Sequence, residues 1–178
     1  MRKETVTYEI YTFDELSEKA KAKALDDHRY VEVSDSYWYE HILDELKDLG
    51  IEVPEFDTYR GICKISNTES WQTVAERILK EYGATSEYHI LAHVFLPRVN
   101  KLYKQLEVLQ ENDEAINWKE VEFTENTISD LEHEFKNDLA HEILKDLRTA
   151  YDFYTSDEAI IERFEANDYE FYSDGRVY

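Results

Sequence analysis

Residues 124–154, TENTISDLEHEFKNDLAHEILKDLRTAYDFY, constrain the fold more tightly than any other stretch of the chain. Ile128, Leu131, Phe135, Leu139, Ile143, Leu147, Tyr151 and Tyr154 recur at steps of three and four. At about 100° per residue those steps keep them on one broad face of a long helix. That face must be buried, so the chain has to supply a second layer to cover it. The opposite face carries Asp130, Glu134 and Asp138, each one turn from the next. Like charges at this spacing destabilise an isolated helix by about 0.2–0.5 kcal/mol per pair. The ladder does nothing for the helix that bears it, which leaves two readings: a solvated coat or a surface for a partner.

Acidity extends well beyond the ladder. Between residues 107 and 142, twelve acids stand against Lys119 and Lys136, a local charge of −10 within a net charge of −21. With 41 Asp and Glu against 20 Lys and Arg, direct binding to DNA, RNA or an anionic membrane is disfavoured, because phosphate contacts need basic side chains to displace counterions. A basic protein is the partner this charge favours. Mean hydropathy is low at −0.68, yet an aromatic content of 14% and clean periodicities supply enough apolar surface to order the chain. Its length suits a single domain over residues 1–178. Cys63 is the only cysteine, which excludes an internal disulfide and a cysteine-based zinc site. No apolar run approaches the roughly 20 residues of a membrane span, and the opening residues lack the apolar core of a signal peptide. The expected location is the cytoplasm.

Taken in order, residues 5–11 alternate in polarity as a half-buried strand does. Thr12 and Glu15 have the spacing of a capping box and predict a helix through Phe13, Leu16, Ala20, Ala24 and His28. A second helix follows from residues 34–36 and ends at Gly50 in a left-handed cap. Residues 51–65 read as one or two short strands interrupted by Pro54 and Gly61. A third helix opens at residues 67–69 and closes at Gly83. From Ser86 a helical stripe runs through Ile90, Val94, Val99, Leu102, Leu106 and Leu109, with Pro97 kinking it or starting a new helix. Residues 110–118 read as a loop. Thr155 and Glu158 repeat the capping-box spacing before a short last helix, and Asp174-Gly175 predicts a hairpin that pairs with the first strand. The expected fold is α+β: a small, mostly antiparallel sheet of the N-terminal strand, the central strands and the C-terminal hairpin, packed against five to seven helices including the long acidic one.

Three segments resemble a known group. YTFDELSEKAKAKAL over residues 11–25, ANDYEFYSDGRVY over residues 166–178, and FDTYRGICK over residues 56–64 resemble a family of small proteins from phages, prophages and mobile elements, some of them labelled antitoxin-like. The resemblance covers mainly the two ends. Its motifs are a capped helix and a hairpin, so it transfers no catalytic residues. It implies a genomic setting in which small acidic proteins act on host machinery, including defence systems.

The candidate partner-binding residues are Glu107, Glu111, Glu114, Glu120, Glu122, Asp130, Glu134 and Asp138, with Tyr39 as an aromatic anchor. Carboxylates on successive turns of a rigid helix lie about 6 Å apart and can imitate phosphates to a basic groove. The partner implied is a basic host protein that handles nucleic acid, a nuclease or CRISPR effector, inhibited by mimicry. The other reading is an antitoxin-like or regulatory module whose contacts are mainly hydrophobic, since Tyr and Trp dominate interface hot spots. No metal or cofactor is expected. His89 and His93 have the spacing of paired ligands, but HILAH lacks the glutamate of the zinc-protease motif, and His133 or His141 would have to complete the set. No strained serine elbow, glycine-rich phosphate loop or activated cysteine pattern occurs, so no enzymatic activity is expected.

Overall fold

The computed structural model describes residues 1–3, 7–111 and 116–178. Among them are six helices and one two-stranded antiparallel sheet, an α+β fold with a small sheet. The chain forms two compact units, one of Met1–Glu40 with Thr149–Tyr178, the other of His41–Arg148.

The terminal unit is built on α1 (Glu18–His28) packed against α6 (Asp157–Ala166). Phe13, Leu16, Ala20, Ala24, Ile160, Phe164 and Phe171 are buried together as its core. The helix starts at Glu18, not at Phe13, because Ser17 outcompetes Thr12 as the cap: its hydroxyl accepts from the Ala20 N–H at 3.3 Å. The Thr12 and Glu15 pair does form. The Glu15 carboxylate accepts from the Thr12 N–H at 2.9 Å, and this bond holds its carboxyl below the ordinary range, but it closes only a turn that folds Phe13 and Leu16 inward. The last helix is likewise capped by Ser156 instead of Thr155, whose hydroxyl turns back to the Tyr151 carbonyl at 2.9 Å.

Strand pairing of the two chain ends is confined to bridges. Tyr11 and Phe171 exchange both backbone hydrogen bonds, at 2.9 and 2.8 Å, and Phe171 also bridges Val177. The ends therefore pair with each other and not with the central strands, while Thr5 and Val6 lie outside the described residues. The terminal turn forms as expected, with the Gly175 N–H donating to the Tyr172 carbonyl at 2.9 Å and φ of 83° at Gly175.

In the central unit, β1 (Ile51–Asp57) and β2 (Ile62–Asn67) pair from Ile51 opposite Asn67 to Asp57 opposite Ile62. The register shifts between Glu52 and Glu55, where Pro54 lacks the N–H a regular ladder needs. The helix α2 (Tyr37–Asp48) leads into β1 through Gly50, whose φ of 87° is the left-handed cap. The helix α3 (Trp71–Glu81) is capped by Ser70, downstream of residues 67–69, and ends at Tyr82 in extended backbone. Gly83 is not in the left-handed region and does not form the cap.

Packed against α3 is α4 (Glu87–Glu111), which runs through Pro97 as one helix. The long helix α5 (Trp118–Tyr154) begins earlier than the apolar periodicity indicated. Its buried face is the predicted one, carried by Ile128, Leu131, Phe135, Leu139, Ile143 and Leu147. Thr124 is a fully buried polar side chain on this face, and its hydroxyl is satisfied by the Glu120 carbonyl at 2.8 Å. Among the described residues, no helix is long and apolar enough to cross a membrane.

Candidate partner-binding surface

Cross-links between α4 and α5 step along the two helices in opposite directions. Tyr88 reaches Asp146 at 2.7 Å, Arg98 reaches Glu134 at 3.7 Å, and Tyr103 reaches Glu132 at 3.1 Å. The helices are therefore antiparallel neighbours. Between them the Phe95 and Phe135 rings stack at 4.2 Å and 3°, and Trp71 meets Phe135 edge-on at 6.0 Å. These aromatic contacts give α5 a fixed rotation, so the side chains on its outer surface sit on a rigid platform.

On that platform Glu120, Glu122, Asp130, Glu134 and Asp138 are all exposed, as are Glu107 and Glu111 on α4. Glu114 lies outside the described residues. Among the described residues only Glu134 of this set makes an ion pair, with Arg98; Glu120 accepts a 3.3 Å hydrogen bond from Asn117. The structure thus brings the predicted α5 carboxylates onto one helix. Tyr39 lies in the terminal unit, half-buried, with its ring edge-on to Trp38 at 5.1 Å.

The ladder is not wholly opposite the buried stripe. A four-residue step overshoots one turn by about 40°, so the ladder winds around the helix from Asp130 on the far side towards Asp138 at the margin of the packed face. Glu134 and Asp138 consequently line a groove of about 110 Å³ with Ile90, Leu91, Val94, Phe95, Arg98, Leu131 and Phe135. Two of these residues correct the sequence reading. Ile90 and Val94 belong to the predicted buried stripe, yet they are 43% and 53% exposed. The buried residues of α4 are Tyr88, Ala92, Phe95 and Val99, so Val99 of the predicted stripe is buried while Ala92 and Phe95 take the core positions in place of Ile90 and Val94. Apolar residues surround so much of this helix that composition alone does not choose the phase; the partner helix does.

Other candidate chemistry gathers little. His89 and His93 stack with centroids 6.2 Å apart, and a His89 ring nitrogen lies 2.9 Å from the Tyr82 carbonyl oxygen. Among the described residues no group of three or more His, Cys, Asp or Glu could hold a metal ion. Burial pushes the Cys63 thiol up to about 11, which disfavours the reactive thiolate at neutral pH. A cavity of about 600 Å³ is lined by Glu45, Asp48, Leu49, Arg77, Lys80, Glu81 and Tyr82, a set with both signs of charge and no serine, threonine or cysteine. Burial, with Glu45 and Asp146 adding to it, raises the Tyr82 phenol.

Compared with models of protein families, with curated proteins and with solved structures, the chain matches none.

Proposed function

We propose that the protein is an inhibitor that presents the carboxylates of α5 to the basic surface of a nucleic-acid-handling protein and occupies the place of phosphates there. One observation carries the reading. Asp130, Glu134 and Asp138 stand exposed at four-residue steps on one helix, and among the described residues only Glu134 of the three makes an ion pair, with Arg98. Carboxylates one turn apart are spaced by about 6 Å along the axis, and a prepositioned row of them loses little conformational entropy on binding. The resemblance of the chain ends to phage and mobile-element proteins suits a role against host defence, with a restriction enzyme or CRISPR effector as target, in the cytoplasm of a bacterium.

The test is capture from a bacterial lysate on the immobilised chain at low and high salt. A basic nucleic-acid-binding protein retained at low salt, released at high salt, and lost by the Asp130→Asn, Glu134→Gln, Asp138→Asn triple variant is the expected result. Retention unaffected by either change sinks the mimicry. A second reading, an antitoxin-like module with mainly apolar contacts, draws on exposed Ile90, Val94, Trp118 and Phe123. Substituting those side chains would then weaken capture more than neutralising the charges does.

A further inference from the structure

The groove between α4 and α5 has two unlike rims. Ile90 and Val94, one turn apart on α4, form an apolar rim; Glu134 and Asp138 on α5 form an acidic one. The stacked rings of Phe95 and Phe135 lie between them. Its volume of about 110 Å³ is well below the 300–1,000 Å³ of small-molecule sites. Arg98 is tied to Glu134, whereas Asp138 has no ion pair among the described residues.

Each rim restricts what can lie here. A purely basic surface would satisfy Asp138 and leave the two aliphatic side chains in water. A purely apolar surface would cover Ile90 and Val94 and strip water from Asp138 without supplying a counter-charge, which costs far more than the apolar contact returns. Building on the reading of this face as partner-binding, we infer that the groove receives an α-helix of the basic partner bearing an aliphatic side chain one turn from a lysine or arginine. The aliphatic group seats against Val94 and the Phe95–Phe135 floor, and the cation meets Asp138. Residues three or four apart share a helix face, so one helix offers both groups at once. Arg98 repels a second cation at its end of the groove and so fixes which way the helix lies. Charge selects the partner, and the aliphatic contact sets its register.

Two short helical peptides probe this with the full chain. One carries leucines on one face and lysines on the other; the second keeps the lysines and has glutamine in place of leucine. Titration by calorimetry should show the leucine peptide binding about tenfold tighter, the scale of burying one aliphatic side chain. The Ile90→Ser, Val94→Ser double variant changes only exposed positions, and a thermal melt confirms its folding. It should bind both peptides alike. Equal binding of the two peptides by the unaltered chain, or a leucine preference that survives in the double variant, overturns the groove. The triple charge variant separates the two readings: if it binds both peptides as tightly as the unaltered chain, the acidic surface itself fails, whereas a groove failure leaves its loss of affinity intact.

Discussion

The phenol of Tyr88 donates a 2.7 Å hydrogen bond to the Asp146 carboxylate, joining the first turns of α4 to the C-terminal half of α5. Tyr88 is buried and its ring stacks on Tyr82 at 4.9 Å. Burial first, and the Asp146 bond second, hold the phenol well above its usual range, so it remains a donor at every physiological pH. Tyr88→Phe removes one hydroxyl and leaves Asp146 without this donor. Urea unfolding should show a loss of about 1.5–3 kcal/mol, the range for hydrogen bonds to charged groups. A change below about 0.5 kcal/mol would mean that water replaces the bond.

Gly175 is set against the α1 backbone so closely that a Cβ there would stand 2.2 Å from the Ala20 carbonyl oxygen, and its φ is 83°. Both facts oppose any side chain. Gly175→Ala should destabilise the terminal unit by more than the 1–3 kcal/mol or so of left-handed strain alone, seen as a lowered melting temperature. Gly83 is its contrast, with open space at its Cβ position and no positive φ. Gly83→Ala should be neutral or stabilising by up to about 1 kcal/mol.

Cys63 gives a pH dependence with a definite sign. Its thiol is raised in the folded chain from 9.0 to about 11 by burial. On unfolding, the thiol returns to its ordinary value and ionises first, so its contribution to stability is fully present below pH 9 and declines between pH 9 and about 11. The difference in unfolding free energy between the unaltered chain and Cys63→Ala should therefore be constant below pH 9 and shrink above it. A disulfide-exchange reagent at pH 8 should also label folded Cys63 more slowly than it labels the thiol in urea.

Neutralising the ladder should separate stability from binding. Asp130, Glu134 and Asp138 form two like-charged pairs at four-residue spacing, each costing the helix about 0.2–0.5 kcal/mol. Asp130→Asn with Asp138→Asn, which leaves the Arg98 pair to Glu134 in place, should raise the melting temperature slightly at low salt. The gain should fade as salt screens the repulsion. If the proposed role is right, the same variant loses affinity while gaining stability.

How much was legible depended on how many answers each pattern allowed. The buried face of α5 was readable because its polar residues leave one continuous apolar face over many turns. The phase of α4 was not, since Ile90, Leu91, Ala92, Val94, Phe95 and Leu96 crowd around the helix and only packing selects Ala92 and Phe95 for the core. The caps at Ser17 and Ser156 were hidden by the capping-box spacing at Thr12 and Thr155. An acid directly after Ser17 and Ser156 was the available signal, favourable at the positive end of a helix. The carboxylates of the surface could be picked out from charge alone, but the groove could not, because it exists only where α4 and α5 meet.

α5 runs 37 residues without a break. The separation of Glu120 from Asp138, about 27 Å at about 1.5 Å per residue, is thus set by backbone hydrogen bonding, as graduations are on a rule. Such a rule can be re-marked but not stretched. One residue inserted between Asp130 and Glu134 would swing everything beyond it by about 100° and scatter the marks, whereas about seven would nearly restore the phase. The surface is therefore free to change by substitution and closed to change by small insertions.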